Sequence, residues 1–169
     1  MGLLNEIREY ASTNSDKRIA MFVDMDGVIA NLEIDMNNSI VSNKKNLFFN
    51  KKPIMPVIDM LHEVSEIVNI DLYILSACVY KEQAIDKSRW LDKYAPFFKV
   101  DNQIFIIKEV VNYTHENKCE IKVGNIVSIM ESKCYDLAIY FEDEYLMLRK
   151  AYKLLGDKVF CIHISNFIE

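Results

Sequence analysis

The sequence predicts an α/β fold in three layers, a parallel sheet of about five strands with helices on both faces. Three observations predict it. Five short apolar runs alternate with segments of helical period, as in parallel strands joined by helical crossovers. A hydrophobic fraction of 51% supplies a core, and 27% charged residues can cover it. The length of 169 residues suits about one domain.

The strands are predicted from apolar runs that are short enough for strands and apolar on both faces. They are IAMFVD ending at Asp24, DLYILS ending at Ser76, QIFII ending at Ile107, LAIYFED ending at Asp143 and KVFCIHI ending at Ile164. The helices are predicted from apolar residues at helical spacing. They are the first twelve or so residues, PVIDMLHEVSEIV from Pro56, KEQAIDKSRWLDKYA from Lys81, VGNIVSIMES from Val123 and EYLMLRKAYKLLG ending at Gly156, a C-capping glycine.

An insertion interrupts this alternation after the first strand. We expect residues 31–55 to form a small cap on the single domain of residues 1–169. The run from Asn37 to Asn46 is rich in Asn and Lys, which is typical of an exposed loop. Phe48 and Phe49, near the end of the insertion, are interpreted most simply as core or lid residues.

Composition excludes several classes of protein. A formal net charge of −5 argues against sequence-independent binding to nucleic-acid phosphates. No apolar stretch approaches the roughly 20 residues that a membrane helix needs. The N-terminal residues do not resemble a secretory signal, so we expect a cytoplasmic protein. The 4 cysteines lack CxxC pairing and are interpreted as reduced thiols.

The first predicted strand runs directly into two carboxylates, Asp24 and Asp26, followed by Gly27. Residues two apart in an extended chain point the same way, and the glycine allows a tight turn beneath a ligand. Two such carboxylates repel each other unless a cation or a shared proton lies between them. Because Mg²⁺ prefers carboxylate, phosphate and water oxygens, the pair indicates a magnesium site. The alternative is a plain loop in which the aspartates cap a turn.

Two further strand ends carry polar side chains. Ser76 ends the second predicted strand, and Glu142 and Asp143 end the fourth. Helix capping would also explain a serine or an aspartate at such a position. However, the carboxyl edge of an open parallel sheet is where ligands bind, and three separate strands deliver polar groups there. The pattern therefore favours a functional site.

The motifs MFVDMDGVIA, YILSA and AIYFEDEY resemble those of the haloacid dehalogenase-like (HAD) phosphatase superfamily. The likeness covers most of the chain and implies a three-layer Rossmann-like (HAD-type) sheet. A narrower likeness is to the 5′(3′)-deoxyribonucleotidases, whose DMDGV(L)AD-type start is similar to DMDGVIANL here. The segments FFNKKPIMPVIDMLHEV and KSRWLDKYAPFF also look like stretches that flank the second motif of that family.

The resemblance implies a Mg²⁺-dependent phosphomonoesterase for a small-molecule substrate, with a nucleoside monophosphate expected. Asp24 would attack the phosphorus to form an aspartyl-phosphate, and Asp26 would act as the acid and base. Mg²⁺ would bind the Asp24 carboxylate, the Asp26 backbone carbonyl and Asp143, with Glu142 close by. Ser76 and a lysine would bind the phosphate oxygens.

Three lysines are candidates for that phosphate contact. Lys122 is preferred, because its distance along the chain from Asp143 suits one helix plus a strand. Lys108 directly follows the third predicted strand, and Lys118 is the third choice.

Two other functions stay open from the sequence. One is a HAD-fold binding or regulatory module without turnover, and the other is a polynucleotide 3′-phosphatase, whose large substrate a short cap would admit. The presence of Asp24, Asp26, Ser76 and Asp143 favours an enzyme. The negative net charge counts against a polynucleotide. Nothing in the sequence predicts an oligomeric state.

Overall fold

The computed structural model describes residues 2–32, 48–114 and 116–167. Strands and helices alternate as predicted. The strands are β1 (Ile19–Val23), β2 (Ile70–Cys78), β3 (Gln103–Ile107), β4 (Leu137–Glu142) and β5 (Val159–His163). The helices are α1 (Leu3–Thr13), α2 (Met55–Ser65), α3 (Lys81–Tyr94), α4 (Lys108–Val111), α5 (Lys118–Ser132) and α6 (Tyr145–Leu155).

The five strands form one parallel sheet in the order β3-β2-β1-β4-β5. β1 is central, and all of its side chains are buried. Met21 and Val23 pack on the face covered by α1, α2 and α3, whereas Ala20 and Phe22 pack on the face covered by α5 and α6. The predicted three-layer α/β fold is confirmed.

Local sequence explains where several helices begin and end. Pro56 lies in the first turn of α2, where a missing N–H breaks no hydrogen bond. Gly156 follows α6 with a φ of +55°, which confirms the predicted glycine cap. No helix in the described part of the chain combines the length and the apolar character needed to span a bilayer.

Two differences from the predicted element boundaries change the place of a site residue. β2 continues to Cys78 because its last residues still pair with β3, so Ser76 lies inside the strand and not at its end. α5 begins at Lys118 and not at Val123, which places Lys122 within the helix. The first turn of α5 is largely polar, so apolar periodicity does not reveal the true start.

The predicted cap, residues 31–55, lies largely outside the described residues, which exclude 33–47. Its two ends pair with each other. Ala30 forms an antiparallel bridge with Pro53, and the Asn31 N–H donates to the Lys52 carbonyl at 2.9 Å. The insertion therefore leaves and rejoins the described chain at one place, while its role as a cap stays a prediction.

Candidate active site

The sheet register brings the ends of β1, β2 and β4 to one edge. Val23 pairs with Ile74 of β2 and with Phe141 of β4. The Asp24 N–H extends the ladder by donating to the Phe141 carbonyl at 3.0 Å. A cleft of about 120 Å³ opens at this edge. The predicted site residues that line it are Asp24, Asp26, Ser76, Lys118, Lys122 and Asp143.

Gly27 allows the ends of β1 and β4 to approach closely. Its φ of +77° lies in the left-handed region, which other residues adopt only with strain. A Cβ at this position would overlap the Asp143 carboxylate. The Gly27 N–H donates to the Ala30 carbonyl at 2.8 Å and closes the turn. The tight turn predicted from the glycine is confirmed, and the Asp143 side chain lies directly against it.

Lys122 lies between two carboxylates from different strands. Its Nζ is 2.7 Å from Glu142 Oε2 and 3.1 Å from Asp24 Oδ1. The lysine side chain is only 3% exposed, and burial by itself disfavours the charged ammonium. The two carboxylates outweigh this and raise the pKa of Lys122, so it is a fixed cation at the floor of the cleft.

Glu142 is fully buried, and both of its carboxylate oxygens accept hydrogen bonds. Besides the Lys122 contact, Oε2 accepts from the Tyr140 hydroxyl at 2.6 Å. Oε1 accepts from the backbone N–H of Asp143 at 3.1 Å and of Glu144 at 3.3 Å. Because these donors already occupy Glu142, it anchors Lys122 more readily than it offers a free oxygen to a metal.

Asp24 has a carboxylate oxygen whose hydrogen bonding is incomplete. Oδ1 is 3.1 Å from the Lys122 ammonium but lacks hydrogen-bond geometry, and it has no partner among the described residues. Burial raises the pKa of both Asp24 and Asp143. Asp24, Asp143 and Glu142 each bring an oxygen within 4.8 Å of the others. A hard divalent cation takes carboxylate oxygens as ligands, so Asp24 and Asp143 fit Mg²⁺.

Asp26 is held by two lysines that the sequence analysis missed. Lys87 Nζ is 2.6 Å from Asp26 Oδ2, and Lys51 Nζ is 2.5 Å from Oδ1. Burial opposes the carboxylate charge, but the two ammonium groups hold the pKa of Asp26 below its usual range. Lys87 also donates to the Ser76 hydroxyl at 2.8 Å and so joins two predicted site residues. The Asp26 carboxylate is thus held apart from the acidic cluster, and metal binding through its backbone carbonyl stays a prediction.

Both lysines contact Phe48. Its ring centroid is 4.7 Å from Lys87 Nζ and 5.1 Å from Lys51 Nζ. Phe48 packs edge-to-face on Trp90, whose indole N–H donates to the Lys51 carbonyl at 2.9 Å. Since Phe48 is only 5% exposed and belongs to the hydrophobic core, its interpretation as a core residue is confirmed. The ring packs in the core and backs the two ammonium groups.

Lys87 could have been found from the sequence. It shares the buried stripe of α3 with Ala84 and Leu91, at spacings of three and four residues, where a lysine is out of place. Lys51 carries no such signal. It lies near the end of the insertion and reaches Asp26 only because the chain returns to this edge of the sheet.

The three candidate lysines for phosphate occupy different places. Lys122 contacts Asp24 directly. Lys118 lines the cleft but is paired with Glu144 at 2.6 Å. Lys108 begins α4 after the edge strand β3 and is not among the residues that line the cleft. The geometry agrees with the preference for Lys122, while the phosphate contact itself stays a prediction.

A larger groove, of about 910 Å³, runs along α6. It shares Lys118 and Glu144 with the cleft. Near the shared end, the exposed ring of Tyr145 stacks on His163 with a centroid distance of 3.9 Å. Asp24, Asp26 and Asp143 line the cleft and not the groove, so the predicted catalytic carboxylates face the smaller cavity.

Comparison with known proteins supports the fold assignment. No protein-family model matches the sequence, and no curated protein matches it significantly. Among solved structures, the chain is similar to a Burkholderia xenovorans LB400 protein provisionally assigned as a haloacid dehalogenase-like hydrolase, with a TM-score of 0.56 and 11% identity. The match covers 87% of this chain and 82% of that one. The likeness shows a shared HAD-type fold, and the narrower likeness to the nucleotidases gains no support from it.

Proposed function

We propose that this protein is a Mg²⁺-dependent phosphomonoesterase that forms an aspartyl-phosphate on Asp24. The supporting observation is the buried Asp24 carboxylate, whose Oδ1 has an ion pair with Lys122 at 3.1 Å but no hydrogen bond among the described residues, in a cleft shared with Asp26 and Ser76. A buried polar atom left without a partner costs stability, about 1–3 kcal/mol. Such a cost is expected where a ligand completes the bonding.

The chain's own carboxylates account for both chemical steps. An Asp24 oxygen attacks the phosphorus, and the bond from phosphorus to the leaving oxygen breaks as protonated Asp26 delivers its proton to that oxygen. Ionised Asp26 then takes a proton from a water molecule that attacks the phosphorus, and the bond to Asp24 breaks to release phosphate. The ion pairs of Asp26 with Lys51 and Lys87 favour the ionised form required for the second step and oppose the protonated form required for the first. Asp26 must therefore take up a proton before the leaving oxygen departs.

Hydrogen-bond donors at the floor of the cleft would stabilise the negative charge of the phosphate. Lys122 places a fixed ammonium beside Asp24, which allows the nucleophile and a phosphate oxygen to approach each other. Ser76 offers a hydroxyl from β2. Mg²⁺ bound by Asp24 and Asp143 would neutralise further phosphate charge.

The substrate that we propose is a small phosphomonoester, with nucleoside monophosphates as the favoured class. The basis is the resemblance of DMDGVIANL and its flanking segments to the deoxyribonucleotidases. A module without turnover is the less favoured reading, because it would retain a buried, incompletely bonded Asp24 without need.

A polynucleotide 3′-phosphatase is the second candidate function. The observation in its favour is the α6 groove, which meets the cleft at Lys118 and Glu144 and carries Arg149, Lys153 and the exposed ring of Tyr145. Cationic side chains beside an aromatic ring are typical of surfaces that bind single-stranded nucleic acid.

The deciding experiment is phosphate release from nucleoside monophosphates, sugar phosphates and a 3′-phosphorylated oligonucleotide, each with Mg²⁺ and with a chelator. Mg²⁺-dependent release from the mononucleotides supports the first candidate, and selective release from the oligonucleotide supports the second. No release from any substrate, by a protein that shows a folded circular dichroism spectrum, favours the module without turnover.

A further inference from the structure

Lys87 is a buried lysine whose contacts extend beyond Asp26, its one partner in the proposed mechanism. Its side chain is 3% exposed. Its Nζ lies 2.6 Å from Asp26 Oδ2, 2.8 Å from Ser76 Oγ and 3.0 Å from the Ala77 carbonyl oxygen. An ammonium has three N–H donors and no acceptor, so these three contacts use all of them.

The contact with Ser76 determines the direction of the serine hydroxyl. Because the ammonium can only donate, Ser76 Oγ must accept from Lys87. The hydroxyl hydrogen of Ser76 then has to point elsewhere, and the structure assigns it no acceptor among the described residues. Ser76 lines the cleft, so the hydrogen is available to an acceptor that binds there.

We propose that Lys87 is a positioning residue that directs the Ser76 hydroxyl hydrogen into the cleft and holds the Asp26 carboxylate beside it. The proposal rests on the proposed function, since it assigns Ser76 as a donor to an anionic oxygen of the bound phosphate. One ammonium thereby couples a phosphate donor on β2 with the acid–base group after β1.

Burial makes a purely structural role for Lys87 a poor explanation. A buried ammonium carries a desolvation penalty, and an apolar side chain of similar volume is often as stable or more stable. Phe48 and the apolar stripe of α3 would accommodate methionine at this position. A positioning role accounts for a charged residue there.

Lys51 provides a matched control. It also pairs with Asp26, through Oδ1, but its contacts do not extend to Ser76, and its side chain is 20% exposed. If the two lysines served only to neutralise Asp26, replacing either would have similar consequences. If Lys87 directs Ser76, only its replacement impairs phosphate binding.

The test compares Lys87→Met, Lys51→Met, Ser76→Ala and the double variant Lys87→Met/Ser76→Ala, with the exposed Lys158→Met as the neutral control. Binding of inorganic phosphate in saturating Mg²⁺ is measured by calorimetry, together with kcat and KM for a small chromogenic phosphate ester. We expect Lys87→Met to weaken phosphate binding roughly tenfold or more, as for a lost charge-assisted contact. Lys51→Met should lower kcat with little change in phosphate affinity.

The double variant gives the sharpest result. Because Lys87 acts on phosphate through Ser76, the double variant should bind phosphate about as weakly as Ser76→Ala alone. Additive losses, or normal phosphate affinity in Lys87→Met, would overturn the proposal. If Lys87→Met does not fold, the contact between Lys87 and Ser76 is tested through the ammonium signal of Lys87 in a ¹⁵N NMR spectrum of the wild type. This signal should be protected from exchange and should shift in Ser76→Ala, and an unprotected signal refutes the contact.

These measurements separate the inference from the proposed function. Wild-type protein that binds phosphate without hydrolysing any ester contradicts the enzyme, while the binding comparison still tests Lys87. Wild-type protein that hydrolyses esters, with Lys87→Met matching Lys51→Met in both kcat and phosphate affinity, contradicts the inference alone.

Discussion

The two carboxylates that follow β1 stand only two residues apart, yet their surroundings are opposite. Asp24 shares one ammonium, Lys122, with a second carboxylate, Glu142. Asp26 has two ammonium groups, from Lys51 and Lys87, to itself. The Asp24 side therefore carries surplus negative charge, and the Asp26 side carries surplus positive charge.

This difference in charge separates the roles of the two residues. Burial raises the pKa of Asp24, whereas Lys87 and Lys51 outweigh burial and lower that of Asp26. Around Asp24, one ammonium serves two carboxylates and one Asp24 oxygen has no hydrogen bond among the described residues. The basic side has both carboxylate oxygens occupied. Paired aspartates therefore need not be equivalent, because the side chains around each one determine its chemistry.

The largest effect is expected for Asp24→Asn. The amide keeps the shape of the side chain but removes the attacking charge, so turnover should fall by about four orders of magnitude or more, while the fold is retained. Phosphate release from a good substrate measures this, and beryllium fluoride with Mg²⁺ should attach to Asp24 in crystals of the wild type. Full activity in the variant would exclude the covalent mechanism.

Asp26→Asn should have the next largest effect. Loss of the acid–base group should slow hydrolysis by roughly 10² to 10⁴, and by less for esters whose leaving groups need little protonation. A series of aryl phosphates with graded leaving-group acidity tests this. An equal loss across the series would contradict the acid–base role of Asp26.

Lys122→Ala should reduce activity, because it removes the ammonium beside Asp24. Removal of a preorganised ammonium should reduce kcat/KM by about 10² to 10³. Lys108→Ala is the matched control and should be mild, because Lys108 is not among the cleft-lining residues. The reverse ranking would transfer the phosphate contact to Lys108.

Asp143→Asn tests the magnesium assignment. Loss of one ligand charge should raise the Mg²⁺ concentration needed for half-maximal activity by roughly tenfold or more, with less effect on the rate at saturating Mg²⁺. Glu144→Gln is the control, since Glu144 pairs with Lys118 outside the acidic cluster. An unchanged Mg²⁺ requirement in Asp143→Asn would contradict the site.

The smallest effects concern stability and should have opposite signs. With a chelator at neutral pH, Asp26→Asn should destabilise the fold by roughly 1–3 kcal/mol, because two ammonium groups lose their anionic partner. Asp24→Asn should stabilise it, because a buried carboxylate with incomplete bonding is removed. Urea unfolding of both variants and the wild type measures these differences, and destabilisation by Asp24→Asn would contradict the comparison.

The pH dependence of these differences follows from the directions of the pKa shifts. A carboxyl whose pKa is lowered by folding stabilises the fold above its ordinary pKa and loses that contribution as pH falls, so the cost of Asp26→Asn should shrink in acid. A carboxyl whose pKa is raised by folding destabilises the fold when it is ionised and does so less as pH falls and it becomes protonated. The stability gained by Asp24→Asn should therefore also shrink in acid. Unfolding curves at a series of pH values below neutral check both trends.

Much of the fold and part of the site were predictable from local sequence. Apolar runs at strand length and stripes at helical spacing encode the parallel sheet, because burial depends on spacing along the chain. Asp24, Asp26 and Asp143 were identifiable because polar residues that end buried strands must meet at the carboxyl edge. Gly27 was identifiable because its turn needs a positive φ.

The tertiary structure alone determined which charges meet. Lys87 and Lys51 lie 61 and 25 residues from Asp26 along the chain, so no local period relates them to it. The incomplete hydrogen bonding of Asp24 and the complete hydrogen bonding of Glu142 likewise depend on how neighbouring strands and α5 place their donors. Burial can be predicted from the spacing of apolar residues along the chain. Ion pairs between distant residues cannot, because electrostatic contacts depend on separation in space and form only once the chain has packed.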